Sequence, residues 1–170
     1  MRLLRLLFTV GAAAVLGGCA GYRLGPTGGQ VAGEKSVQIL PFANRTPEAR
    51  LADAVTAALR KELQRDGTFR LVTHDPGDII VSGALTGYSR REISLVPSDV
   101  ATAQDYNLSL TAQVTVRERG SDKVILDQAV TSHTLVRVGP DLPSSERQAL
   151  PLLATELARR VTALLADGSW

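Results

Sequence analysis

The sequence predicts an α+β fold: a two-layer sandwich with two helices packed on one face of a four- to five-stranded sheet of mixed or antiparallel strands. In residues 51–63 and 150–165, leucine and valine recur every three to four residues, which is typical of helices with one buried face. Apolar and polar residues alternate over residues 106–117, which is typical of a strand with one wet face. The element order is one strand, one helix, three or four strands and a second helix. Two helices on one side of a single sheet satisfy this order.

The first structural unit is predicted to be a strand followed by a helix. Residues 36–42 (SVQILPF) form a short apolar run bounded by turn residues, which favours a buried strand. Thr46 is a suitable N-cap for the helix, and Pro47 suits its first position. The helix then extends to Asp66, and Gly67 supplies its C-terminal stop.

The middle of the chain is predicted to supply the other strands. Residues 69–73 form a short strand and residues 78–89 a longer one. A polar connection over residues 90–104 leads to the alternating strand 106–117, and residues 123–138 run back as its antiparallel partner. The first strand–helix–strand unit is expected to cross over with a right hand, so the sheet is predicted to be mixed.

The second helix is predicted to begin at Ser144 or Ser145. Ser145 stands three residues before Gln148, which is the spacing of a capping box. Pro151 is expected either to kink the helix or to mark its true start. The apolar stripe of this helix consists of Leu150, Leu153, Leu157, Val161, Leu164 and Leu165.

The N-terminal segment has the layout of a secretory signal. Arg2 and Arg5 make a basic start, residues 6–16 carry no charge, and small residues precede Cys19. The apolar run is shorter than the roughly 20 residues that a transmembrane helix needs. The closing sequence LGGC, at residues 16–19, resembles the lipobox of bacterial lipoproteins, whose cysteine is diacylated and becomes the new N-terminus. The alternative is an ordinary cleaved signal with an incidental cysteine.

This segment predicts the domain organisation. Residues 1–18 are the expected signal peptide, residues 19–35 the acylated cysteine and a Gly-rich flexible tether, and residues 36–170 a single domain. Acyl chains on Cys19 would anchor the protein, since each buried methylene contributes about 0.8 kcal/mol. By resemblance to the sorting rule of Gram-negative lipoproteins, a residue other than Asp after the cysteine, here Ala20, implies the outer membrane. We therefore expect a protein that is lipid-anchored on the periplasmic side of the outer membrane.

Composition and charge exclude several function classes. The chain has 19 Lys and Arg against 17 Asp and Glu, and removal of Arg2 and Arg5 with the signal leaves 17 of each. A nucleic-acid partner is not expected, because such binders show a clustered basic face. His74 and His133 are the only histidines and lack metal-ligand spacing, and Cys19 is used by the lipobox. The sequence therefore predicts no catalytic residues, no metal, no cofactor and no enzymatic activity.

Four cationic residues are candidates for anion recognition. Arg90 and Arg91 stand where the third predicted strand enters the polar connection. Lys123 and Arg137 lie on the later hairpin. Arginine suits phosphate because its planar fork binds two oxygens. The alternative is that these are solvated charges that protect a strand edge, and only a phosphorylated ligand or partner would favour the first interpretation.

Short motifs along the mature chain match a known family. GYRL follows the lipobox at residues 21–24, and the first strand ends in PFANRT at residues 41–46. A strand containing GALTGY (83–88), a strand beginning YNL (106–108) and the leucine-striped helix follow. Together these features resemble the LptE family of lipopolysaccharide-assembly lipoproteins. The Pro-Phe-x-Asn-x-Thr motif followed by a helix also occurs in other periplasmic lipoproteins.

The resemblance implies a function without catalysis. LptE-like proteins sit as a plug inside the large outer-membrane barrel LptD, help it to assemble, and bind lipopolysaccharide on its way to the cell surface. The implied partners are an LptD-like β-barrel, lipopolysaccharide and, through the acyl chains, the membrane. In this interpretation Arg90 and Arg91 contact the phosphates of lipid A, with Lys123 behind them.

The main alternative is a periplasmic regulatory lipoprotein that acts by protein–protein contact, either an activator of a peptidoglycan synthase or a secretion lipoprotein. Some of these proteins begin with a similar strand and helix. A synthase activator usually needs a long disordered linker to reach through the peptidoglycan. The tether here is about 15 residues long, or roughly 50 Å when fully extended, which favours a membrane-proximal partner.

Overall fold

The computed structural model describes residues 32–96, 99–138 and 141–168. The predicted signal peptide, Cys19 and most of the predicted tether lie outside the described residues. Along the chain the elements are β1 (Ser36–Ile39), β2 (Ala43–Asn44), α1 (Leu51–Asp66), β3 (Arg70–Val72), β4 (Ile79–Val96), β5 (Asp99–Glu118), β6 (Val124–Arg137) and α2 (Leu142–Ala166). Neither α1 nor α2, the helices of the described part, is long and apolar enough to span a membrane.

The strands form one mixed sheet in the order β3-β1-β4-β5-β6, with β2 paired to β4. Strand β1 lies parallel to both of its neighbours. Val37 is in register with Leu71 of β3 and with Ile79 of β4. The pairs β4–β5 and β5–β6 are antiparallel. The predicted α+β class and mixed sheet are confirmed. The described strands number six because the two-residue β2 adds to the five that were predicted at most.

One continuous core lies between the sheet and the two helices. The predicted stripe of α1 is buried, and so are Leu153 and Leu157 of α2. On β5 the buried residues alternate with partly exposed ones, as predicted, so that one face of the strand enters the core. The buried residues of β5 are Leu108, Leu110, Ala112, Val114 and Val116. All of these side chains belong to a single hydrophobic cluster, which places both helices on the same face.

The first helix begins later than predicted, so Thr46 as its N-cap is wrong. The Asn44 side chain accepts hydrogen bonds from the backbone N–H of Thr46 (2.9 Å) and from its hydroxyl (2.7 Å), and donates to the carbonyl of Glu48 (2.9 Å). These bonds fold the segment into a side-chain-closed turn instead of a helical one. The helix starts at Leu51, after Arg50, whose side chain makes no capping bond. Its predicted end at Gly67 is confirmed.

The start of the second helix was also misplaced. Asp141 is the N-cap, and its carboxylate accepts a 2.7 Å hydrogen bond from the backbone N–H of Ser144. This bond lowers the pKa of the Asp141 carboxyl. The prediction of Ser144 or Ser145 as the first residue is wrong because the earlier Asp141 already caps the free N–H groups. Pro151 lies inside the helix and does not mark its start.

The predicted polar connection over residues 90–104 is wrong. Strands β4 and β5 continue through this segment as an antiparallel hairpin. Backbone pairing between the two strands holds the segment, and the polar composition of its sequence did not indicate this pairing. Side chains reinforce the hairpin and the next strand: Asp105 accepts hydrogen bonds from Ser94 (2.6 Å) and Arg137 (3.0 Å). The bonds from Arg137 and then Ser94 lower the pKa of the Asp105 carboxyl.

Hydrogen bonds between Ser36 and Asp78 fix the start of β1, just after the predicted tether. The Asp78 carboxylate accepts hydrogen bonds from the Ser36 backbone N–H (2.9 Å) and hydroxyl (2.6 Å), and the Asp78 N–H donates back to that hydroxyl (2.9 Å). The hydrogen bonds from Ser36 lower the pKa of the Asp78 carboxyl. This reciprocal pair fixes the first residue of β1 against the start of β4.

Candidate functional site: the open face of the sheet and its cations

The sheet face opposite the helices is rich in hydroxyl and amide groups that bond to each other across strands. Ser89 and Ser109 share a hydrogen bond of 2.8 Å, and Thr111 and Thr131 share one of 3.0 Å. The Asp127 carboxylate of β6 accepts hydrogen bonds from two β5 side chains, Gln113 (2.6 Å) and Thr115 (3.2 Å). Cross-strand pairs of this kind stabilise a sheet and fix its side chains. The open face is therefore a polar surface held in one arrangement.

Arg90 is not on this face. It is in register with the buried Leu108 and so lies on the helix side of β4. Its guanidinium donates a 2.9 Å hydrogen bond to Glu146 in α2, and its Cζ lies 5.5 Å from the centre of the Tyr106 ring. Tyr88 also donates its hydroxyl to Glu146. Arg90 therefore joins the hairpin to the first turns of α2.

The Tyr88 hydroxyl stays protonated in this cluster. Burial raises the pKa of the Tyr88 phenol, and the neighbouring Glu146 carboxylate raises it further. With a proton on Tyr88 and a cation on Arg90, both groups donate to the same carboxylate. Glu146 lies 56 residues from Arg90 in the chain, and no sequence pattern indicated this partnership.

Arg91 lies on the opposite face. It is in register with Asn107, which precedes the buried Leu108 on β5 and so lies on the face away from the core. Its side chain is exposed, and no hydrogen bond or ion pair to it is found within the described part of the chain. The predicted pair Arg90 and Arg91 is thus divided between the two faces, because consecutive residues of a strand point to opposite sides.

Lys123 lies at the other end of the sheet, in the turn between β5 and β6. Arg90 pairs with Leu108 of β5. Val124, the residue after Lys123, pairs with Arg117 of the same strand. The nine residue steps along β5 from Leu108 to Arg117 span roughly 30 Å at the usual rise of a strand. The structure therefore does not bring Lys123 together with Arg90 or Arg91.

The two histidines lie in different elements of the fold. His74 is exposed in the turn before β4, with its Nδ1 at 2.9 Å from the Thr73 hydroxyl, and His133 is exposed on β6. Within the described ranges, no group of three or more His, Cys, Asp or Glu side chains could hold a metal ion.

Solved structures share this fold at low sequence identity. Protein XCC0632 from Xanthomonas campestris is 8% identical, with a TM-score of 0.62 over 86% of this chain and 91% of its own. Protein CT253 from Chlamydia trachomatis is 14% identical, with a TM-score of 0.58 over 80% and 96%. A minor lipoprotein from Acinetobacter baumannii is 16% identical, with a TM-score of 0.52 over 78% and 92%. At such identities the likeness shows the fold alone.

The sequence itself identifies the family. A search of curated proteins found no significant match. The family model LptE, described as lipopolysaccharide-assembly, matches residues 34–165, which include every described strand and nearly all of α2. This family consists of non-enzymatic, membrane-associated lipoproteins. The chain therefore belongs to the LptE family of lipopolysaccharide-assembly lipoproteins.

Proposed function

We propose that this protein is an outer-membrane lipoprotein that plugs and helps to assemble an LptD-type barrel and assists lipopolysaccharide transport to the cell surface. The family match over residues 34–165 is the observation that carries the proposal. The lipobox supports the anchor, with Cys19 as the acylated residue and the membrane as the first partner. The chain acts by binding and positioning rather than by catalysis.

The short tether and the tied start of β1 support a partner close to the membrane. Residues 19–35 connect the proposed anchor to Ser36, which Asp78 holds against the sheet. A fully extended tether of this length reaches roughly 50 Å. The domain is thereby kept near the periplasmic surface of the outer membrane, where a barrel presents its lumen.

The polar open face suits the lumen of a large barrel. The interior of an outer-membrane barrel is polar, in contrast to its lipid-facing surface. The open face presents mainly hydroxyl and amide groups, already joined by hydrogen bonds such as Ser89–Ser109 and Thr111–Thr131. A surface whose side chains are already ordered loses little conformational entropy when a wall packs against it. The mature chain has equal numbers of basic and acidic residues, so a charged barrel wall of either sign would not repel it strongly as a whole.

For the lipopolysaccharide phosphates we propose Arg91 as the principal contact. Its guanidinium is exposed, whereas Arg90 would have to give up its bond to Glu146 to bind a phosphate with all its donors. Lys123, at the distant end of the sheet, would meet a different part of the ligand or a different phosphate. We therefore rank the contribution of Arg91 above those of Arg90 and Lys123.

The test is to deplete the protein from cells and complement with variants. Wild type is expected to restore surface lipopolysaccharide, and Arg91→Ala only part of it, with lipopolysaccharide binding by the purified protein weakened about tenfold, as expected for loss of a charge-assisted hydrogen bond. The matched control is Arg65→Ala, which removes an exposed arginine at the end of α1, away from the open face. It is expected to behave as wild type in both assays.

Two outcomes would each contradict one part of the proposal. Equal binding by wild type and Arg91→Ala would remove Arg91 as a phosphate contact while leaving the barrel partnership open. Normal surface lipopolysaccharide after depletion, together with a fall in peptidoglycan synthesis, would favour the regulatory lipoprotein instead.

A further inference from the structure

The last strand of the sheet has a long edge with which no described strand pairs. Strand β6 ends the sheet order, so its outer side pairs with no described strand. It is 14 residues long, whereas the strand at the opposite edge, β3, has only three. A long unpaired edge offers a row of free N–H and C=O groups and is a template for adding another strand.

This edge also lacks the usual protection against pairing. Natural proteins blunt edge strands with charges, proline or bulges in the strand. Residues 128–136 of β6 contain no charged residue and no proline, and their register with β5 is unbroken. Leu135, in this stretch, is 72% exposed on the open face. The uncharged stretch, its regular register and the exposed Leu135 together indicate that the outer edge of β6 can pair with another strand.

The sequence of β6 is complementary to itself in one antiparallel register. With a two-fold axis at Ser132, Asp127 of one copy faces Arg137 of the other, and the exposed Leu135 faces Ala129. All four side chains lie on the open face, because they share the parity of Thr131, which bonds to Thr111. Moving the axis by one residue instead places Asp127 opposite Leu135, or Arg137 opposite Ala129. Only the register at Ser132 pairs opposite charges at both ends.

Asp127 and Arg137 each have polar atoms left to bond across this proposed interface. Both hydrogen bonds that Asp127 accepts within the described residues use Oδ1, which leaves Oδ2 to accept another. Arg137 binds Asp105 through Nε, and its side chain is 74% exposed, so its terminal nitrogens can reach a second carboxylate. Opposite charges directly across a strand pair stabilise it, and like charges weaken it.

We propose that the free chain forms a two-fold dimer in which β6 pairs antiparallel with β6 of a second copy, centred on Ser132. The two six-stranded sheets then join into one continuous sheet, and the dimer covers the edge until another partner is bound. This proposal stands on β6 alone and is independent of the barrel partnership.

The test is a charge exchange followed by sedimentation of the mature, acylated chain in mild detergent. Asp127→Arg and Arg137→Asp each place like charges opposite one another twice per dimer, and each is expected to raise the dimer dissociation constant about tenfold. The double variant carrying both changes is expected to return the constant to within about threefold of wild type, since the pairs are restored with their signs exchanged. Circular dichroism of each variant verifies that the fold is intact.

A cross-link fixes the register. When a chain with Ala129→Cys is mixed with one carrying Leu135→Cys, a disulfide is expected between them, because opposite residues of an antiparallel pair lie about 4.5–5.5 Å apart at Cα, within disulfide reach. The parent chain, whose only cysteine is Cys19, gives the background. A monomer at every concentration, a dimer that is indifferent to both single reversals, or absence of the mixed disulfide would overturn the proposal.

Discussion

Replacing Gly83 with alanine is expected to lower the free energy of unfolding by about 3 kcal/mol, the upper part of the range for overpacking a core. A Cβ at this position of β4 would overlap the Phe42 ring and approach the backbone carbonyl oxygen of Gln113 to 2.7 Å. Phe42 is buried and has little room to move. The carbonyl belongs to the neighbouring strand β5, so relief would require the strands to separate. Glycine is needed here for close approach.

The matched control is Gly87→Ala, four residues further along the same strand. The nearest atom to its added Cβ is the Thr111 Cβ at 3.7 Å, an ordinary contact. Because alanine also restricts the unfolded chain more than glycine does, this variant is expected to be neutral or slightly stabilising. Denaturant unfolding of both variants measures the difference. Equal stability of the two would show that the contact between Phe42 and β4 is looser than described.

Leu157→Ala is expected to cost about 2–5 kcal/mol, the usual range for truncating a buried leucine. Leu157 is 0% exposed in α2 and belongs to the cluster that joins both helices to the sheet. Truncation removes its burial and leaves a cavity that α1, the sheet and the rest of α2 would have to fill together.

The control for this variant is Leu152→Ala, which changes the same residue type in the same helix at a position that is 62% exposed. It is expected to stay within about 0.5 kcal/mol of wild type, as surface substitutions usually do. Thermal and denaturant unfolding, with the protein dilute enough to be monomeric, give both values. A loss at Leu152 as large as that at Leu157 would contradict the packing of α2 described above.

Patterns set by burial were predictable from the sequence. The stripe of α1 and the alternation of β5 each follow from one face entering the core, and both are confirmed. Where polar side chains decide the conformation, the patterns failed. Asn44 closes a turn on the residue that was predicted to cap α1, and Asp141 caps α2 before the predicted serines. Several side chains can compete for the same backbone groups, and sequence alone does not rank them.

The candidate site was harder to predict for the same reason. The hairpin beyond Arg90 is held by backbone pairing, so its residues looked like a connecting loop. Once this segment is a strand, alternation separates Arg90 from Arg91, and Arg90 meets Glu146, which only the tertiary fold brings near. Arg91 remains as the exposed cation of the pair.

The barrel partnership is tested most directly by isolating the tagged, acylated protein from outer membranes in mild detergent and identifying by mass spectrometry what accompanies it. We predict a large LptD-like barrel in stoichiometric amount, retained by the control variant Gly87→Ala. Recovery of a peptidoglycan synthase without any barrel would contradict the account and favour a periplasmic regulator.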